Sequence, residues 1–70
     1  MHDPITDPHI GDILESYNDL INTHIKRTVV QRVGCQVSFE SNGSFYNCCI
    51  DVWKVMNKSS KYLGTIFNES

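Results

Sequence analysis

Residues 28–57 read TVVQRVGCQVSFESNGSFYNCCIDVWKVMN, and the Asn42-Gly43 pair near their middle decides how they fold. A two-residue type I′ turn needs positive φ at both central positions, which Asn followed by Gly tolerates at little steric cost. With that pair at the tip of a long hairpin, the register follows. Ser41 faces Ser44, Phe39 faces Tyr46, Val37 faces Cys48, Cys35 faces Ile50, Val33 faces Val52 and Val29 faces Met56. Nearly all of these pairs are apolar, and they share one face. On the other face Glu40 meets Phe45, Ser38 meets Asn47, Gln36 meets Cys49, Gly34 meets Asp51, Arg32 meets Trp53 and Val30 meets Val55. That face is polar near the tip and apolar towards the base. A slip of one residue would turn polar side chains into the apolar row, so the pattern supports the register.

Upstream, Asp7-Pro8 combines an N-cap residue with proline at a first helical position. Apolar residues then fall at Ile10, Ile13, Leu14, Tyr17, Leu20, Ile21 and Ile25, with Asp12, Glu15, Asp19, Asn22 and Lys26 opposite. The three-and-four spacing predicts an amphipathic helix lying on the Val29, Val33, Val37 and Phe39 face, with Lys26 and Arg27 at its negative end. Downstream, Asn57-Lys58-Ser59-Ser60 is a polar turn, and Lys61 to Asn68 reads as a third strand, apolar on both sides. The expected fold class is α+β, with one N-terminal amphipathic helix packed on a three-stranded antiparallel meander of order 1-2-3. Residues 1–7 form a flexible arm and residues 8–70 a single α-β-β-β domain. Hairpin arms of about 13 residues reach roughly 40 Å, whereas an 18-residue helix covers about 27 Å. Either Gly34 marks a bulge or another molecule covers the remainder.

Seventy residues with a net charge of −2 describe one small domain. A chain of this size buries only about 60% of its unfolded surface, so a partner, a metal or disulfides are the usual supplements. Three cysteines, Cys35, Cys48 and Cys49, cannot all pair within one chain. They read as reduced, partly buried thiols in a cytoplasmic or nuclear protein, with secretion the lesser expectation. The segment Met1 to Asp7 is polar and reads as no secretory leader, and no apolar run is long enough for a membrane span. Asn42-Gly43-Ser44, Asn57-Lys58-Ser59 and Asn68-Glu69-Ser70 fit the glycan acceptor pattern, but Asn and Ser are also turn formers, and turn chemistry is the simpler reading.

An enzyme needs a constellation of chemical groups, and the sequence spaces none. His2, His9 and His24 are not placed to share a metal, there is no Cys-x-x-Cys, and neither Cys48 nor Cys49 has a base beside it. Glu40 and Asp51 lie too far apart in register to act as a catalytic pair. The chain is therefore expected to be non-enzymatic, with no cofactor and no metal.

Trp53 is the residue to single out, because one helix covers one face of a sheet and the second apolar face needs another lid. Tryptophan and arginine are also the types most enriched at interface hot spots. The expectation is an interaction or assembly module that forms a homodimer or docks on another protein. Its contact surface would be the second sheet face, through Trp53, Arg32, Val30, Val55, Phe45 and Leu63, together with a strand edge. The alternative is RNA binding through Lys26, Arg27, Arg32, Lys54, Lys58 and Lys61, against which the net negative charge weighs. In layout the chain resembles a double-stranded-RNA-binding domain, with Ile10 to Tyr17 matching its first helix, Val29 to Val55 its hairpin and Tyr62 to Ile66 its third strand. That resemblance implies RNA binding, but the lysine-rich second helix with which that family grips phosphate has no counterpart before Ser70. A helix, Gly34, Asn42-Gly43 and Met56-Asn57 are similarly placed in Sm-like proteins, whose later strands are missing here.

Overall fold

The Asn42-Gly43 tip forms as its chemistry dictates, with φ of 57° and 80° at the two positions. In the computed structural model, which describes residues 2–66, it joins β3 (Gln36–Ser41) to β4 (Ser44–Cys49). The register is the expected one from Ser41↔Ser44 through Phe39↔Tyr46 and Val37↔Cys48 to Gln36↔Cys49. A last bond from the Ile50 amide to the Cys35 carbonyl (2.8 Å) ends the ladder.

Below that point both arms depart from the expected hairpin, and the pairs from Gly34–Asp51 down to Val29–Met56 do not form. On the first arm, Gly34 is not a bulge. With φ of 57° it is the first residue of a two-residue turn with Cys35 that closes β2 (Thr23–Val33) onto β3 at Val33↔Gln36. Glycine in that position suits a type II′ turn, which keeps the twist of the flanking strands. The bulge in β2 sits instead between Val29 and Gln31, at Val30. On the second arm, Ile50–Met56 is a short helix, α1. Ile50, Trp53 and Met56 recur every third residue and face the core, while Val52 and Val55, which suggested strand alternation, point outwards.

The N-terminal helix is likewise replaced by strand. Asp12–Asn18 forms β1, and it pairs antiparallel with β2 from Ile13↔Thr28 to Asn18↔Thr23. The apolar residues at Ile13, Leu14, Tyr17, Leu20, Ile21 and Ile25 keep helical spacing, and in the strands they scatter: Leu14 and Ile25 face the core, Ile13 and Tyr17 face the other way, and Leu20 and Ile21 lie exposed in the turn, so local chemistry overrides the period. Thr23, Ile25, Thr28, Val29, Val30 and Val33 are β-branched and pack well on a pleated surface. The turn is built by asparagine at each end: Asn18 Oδ1 accepts from the Leu20 amide at 2.9 Å, and Asn22 takes a φ of 53°. The helix-start signal at Asp-Pro yields a single turn further upstream, with Ile5 N–H on Asp3 Oδ1 and Asp7 N–H on the Asp3 carbonyl.

The third expected strand exists as β5 (Lys61–Thr65), but not beside the second. It pairs with β1, from Asp12↔Thr65 to Glu15↔Lys61, with a bulge at Leu63. The result is one five-stranded antiparallel sheet of order β4-β3-β2-β1-β5, in place of the three-stranded meander of order 1-2-3, and the fold is mostly β with one short helix. The expected strand positions at Phe67 and Asn68 lie outside the described residues. No helix among the described residues is long and apolar enough to cross a membrane.

Leu14, Val29, Val37 and Phe39 lie on one face of the sheet, and α1 closes over them with Trp53. Trp53 is wholly buried, its ring 5.2 Å from that of Phe39, and its indole N–H donates to the Pro4 carbonyl at 3.0 Å. Residues 2–9 therefore lie across the end of the core. Arg32 Nη1 donates to Asp7 Oδ1 and to the Pro8 carbonyl, both at 2.9 Å. Buried Asp12 accepts from the His9 amide at 2.9 Å and from the Tyr62 hydroxyl at 3.1 Å, with His2 Nε2 at 2.5 Å.

Candidate functional site

Along β2 the side chains alternate, so Ile25, Arg27 and Val29 share the core face while His24, Lys26 and Thr28 face the other way. Val29 lies under the helix; Arg27 and Ile25 continue beyond its end, where no element covers them fully. There the inner face opens into a groove of two adjoining chambers. The first, of about 290 Å³, is lined by Ile25, Arg27, Phe39, Ser41, Tyr46 and Met56, with Asn42 at the rim. The second, of about 460 Å³, lies between the β1–β2 turn and the segment after α1, and Tyr17, Asp19, Val55, Lys58 and Ser59 line it. Ile25, Arg27 and Met56 belong to both chambers and form the common floor.

The position of Arg27 is set by Asn57, the C-cap residue of α1. Asn57 is fully buried; its backbone amide and its Nδ2 both donate to the Trp53 carbonyl, at 2.9 and 3.0 Å. This leaves Asn57 Oδ1 to accept from Ser60 Oγ at 2.9 Å and from Arg27 Nη1 at 3.2 Å. Arg27 Nη1 also donates to Ser16 Oγ at 2.9 Å. Both acceptors are neutral, and among the described residues Arg27 has no carboxylate partner. Partial burial lowers the pKa of its guanidinium from the ordinary value, and the charge of the Cys48 thiolate acts in the other direction. Burial, followed by the charge of Cys49, pushes the Cys48 thiol up in turn. All three cysteines are free thiols, Cys35 being exposed.

One edge of the groove is β4, the outermost strand of the sheet. Tyr46 faces the groove from it, stacked on Phe39 at 5.5 Å, while Phe45 points out on the opposite face and is 74% exposed. In a hairpin closed by Ser41↔Ser44, the main-chain groups of Phe45 and Asn47 point away from β3.

The residues expected to form one partner surface are scattered. Trp53 is core, and Arg32, expected opposite it in the hairpin, is held by Asp7 of the N-terminal segment. Val30 and Leu63 occupy bulges on strands separated by β1, Phe45 lies at the far edge, and Val55 lines the groove. The basic residues do not gather either. Lys26 and Lys61 flank Glu15 on neighbouring strands, Lys54 Nζ lies 3.9 Å from Asp51, and Arg32 is paired with Asp7. Arg27, Lys58 and Val55 are the ones brought together, in the second chamber. Ile25, Tyr46, Met56 and Asn57 were not singled out by sequence reasoning. The alternation over Thr23–Val29 is the signal that could have placed Ile25 and Arg27 inwards.

His24 lies on the exposed face of β2, 3.7 Å from Glu15, and not on a helix. The His2 and His9 rings stack with centroids 3.7 Å apart. Among the described residues no three histidine, cysteine or acidic side chains are arranged to hold a metal ion. Of the glycan triplets, Asn42 is exposed at its turn, whereas buried Asn57 has both side-chain polar atoms engaged inside the fold. No protein-family model matches the chain, and neither a curated protein nor a solved structure matches it.

Proposed function

We propose that the chain is a non-enzymatic binding module whose groove, with the adjoining β4 edge, receives an extended segment of another protein. The observation that carries this reading is the groove itself: an open channel, apolar in its first chamber and more polar in its second, with a common floor of Ile25, Arg27 and Met56, beside a strand whose outer edge has no partner among the described residues. A channel that opens at a strand edge suits an extended peptide, which enters over β4 and seats its side chains along the floor towards the β1–β2 turn. The groove lining carries no histidine or cysteine among the described residues, so a binding role asks less of it than a catalytic one. Trp53 lies inside its own core and offers no surface for a homodimer, and the groove reading takes a segment of a different chain as the partner. Free thiols suit a cytoplasmic or nuclear setting.

Selection of a displayed random-peptide library on the immobilised chain tests the proposal, with Val55→Asp as the control. Val55 is 77% exposed and lines the second chamber, so its substitution leaves the core intact. Enriched peptides should bind the wild type at least tenfold tighter than the variant. Failure to enrich any sequence, or enrichment indifferent to Val55→Asp, would refute the groove as the binding surface.

A further inference from the structure

We infer that Arg27 is the anchor of a carboxylate-recognition site, and that the segment the groove takes carries an internal Glu or Asp between apolar residues. This rests on the reading of the groove as a peptide-binding channel and names the chemistry of its occupant.

A guanidinium has five N–H donors in a planar fork, matched to the two oxygens of a carboxylate. In Arg27 one nitrogen, Nη1, makes both hydrogen bonds inside the chain, and both go to neutral oxygens. No buried side-chain nitrogen or oxygen among the described residues lacks a partner, so the remaining donors, on Nη2 and Nε, are open to solvent in a residue that lines both chambers. Other basic side chains have acidic neighbours: Arg32 has Asp7, Lys54 has Asp51, and Lys26 and Lys61 have Glu15 across the strands. Arg27 is thus a partly buried cation pre-positioned by Ser16 and Asn57, with its free donors unopposed. Holding the fork in place before binding cuts the ordering cost of the complex.

Charge and shape then narrow the ligand. Asp19 and Lys58 both line the second chamber and offset one another, leaving a single net positive charge at the floor. One net positive charge matches a carboxylate monoanion better than a phosphate dianion. Ile25 and Met56 belong to both chambers and so offer apolar surface to the residue on either side of the acid; beyond them Phe39 and Tyr46 continue the apolar wall in the first chamber, while the second turns polar at Ser16, Asp19, Lys58 and Ser59. Because Arg27 is common to both chambers, it lies part-way along the channel. A chain can continue past it in both directions, as an acidic side chain allows and a terminal carboxylate does not.

The test uses the full ¹⁵N-labelled chain and follows the Arg27 Nε–H resonance together with the Ile25 and Met56 amides. Four probes are titrated: acetyl-Ser-Leu-Glu-Leu-Ser-amide, its glutamine counterpart, acetyl-Ser-Leu-Leu with a free C-terminus, and inorganic phosphate. The glutamate peptide should shift all three resonances in a saturable way. The glutamine peptide should bind at least tenfold more weakly, and Arg27→Gln should abolish the difference while keeping a folded spectrum. If the glutamine peptide shifts Ile25 and Met56 equally well, carboxylate recognition is overturned although the peptide channel stands. Equal or stronger binding of the free C-terminus, or of phosphate, also overturns the inference. If no probe moves any groove amide, the inference and the binding-module reading fall together.

Discussion

Replacing Asn57 probes stability and binding at once, because this one side chain ties the end of α1 to the floor of the groove. Asn57→Ala removes a donor from the Trp53 carbonyl and an acceptor from both Ser60 and Arg27. The Trp53 carbonyl keeps the Asn57 backbone amide, and Ser60 and Arg27 are only half-buried, so each can recover water. A net hydrogen bond is worth about 1 kcal/mol and an unsatisfied buried group costs about 1–3 kcal/mol. The balance here is a loss of about 2–3 kcal/mol, since one partner is compensated and two are rehydrated. In a domain of 60–100 residues that lowers Tm by about 10–20 °C. Urea unfolding followed by the fluorescence of Trp53, the single tryptophan, reads the change directly. Asn57→Asp is the informative companion. Its carboxylate keeps the acceptor for Ser60 and sits where Asn57 Oδ1 now lies 3.2 Å from Arg27 Nη1. It also sets an oxygen where Nδ2 now donates to the Trp53 carbonyl at 3.0 Å, so it should be no less damaging than alanine at neutral pH, and by neutralising the guanidinium from within it should weaken the glutamate peptide at least tenfold. A loss under about 0.5 kcal/mol for Asn57→Ala, within the range of ordinary surface changes, would refute this account of the C-cap.

Trp53→Ala removes a fully buried ring and should cost about 3–5 kcal/mol, comparable with the whole stability of so small a domain, leaving a poorly dispersed NMR spectrum. A variant that stays folded with a near wild-type Tm would show that Trp53 is not core. Asp7 is held below the ordinary carboxylate range, first by its hydrogen bond to Arg32 and then by that to His9. A depressed folded pKa stabilises above the unfolded value, near pH 4, and that contribution is lost as pH falls through the folded pKa. Asp7→Asn should accordingly flatten the acid limb of the stability curve, and an unchanged limb would mean that the N-terminal segment is not fastened there.

The part of the fold legible in the sequence was the part with unambiguous local chemistry. Asn42-Gly43 set a turn that admits little else, and six strand pairs followed from it. Where apolar spacing alone was the guide, the reading failed in both directions. The stretch from Ile10 to Ile25 matched a helix by period, yet β-branched residues in Thr23–Val33 and asparagines at both ends of a four-residue turn favoured paired strands. The stretch from Ile50 to Met56 matched a strand, yet burying Trp53 with Ile50 and Met56 required a helix. Gly34 carried a real signal, but as the first residue of a tight turn and not as a bulge. The candidate groove was illegible for a related reason. Its floor joins Ile25 and Arg27 of β2 to Met56 of α1, residues brought together by a crossover that returns β5 to the far side of β1. Arg27 was noticed only as one of several cations, because its lack of a carboxylate partner among the described residues is a property of the folded chain.

A crystal structure of the chain with the glutamate peptide bears most directly on the groove as the functional surface. The peptide carboxylate should lie within hydrogen-bonding distance of the Arg27 guanidinium, between Ile25 and Met56, with its backbone running from the β4 side towards Lys58. A peptide seated instead over Phe45 and Leu63 on the opposite face, or along β5 with Arg27 still facing solvent, would contradict it.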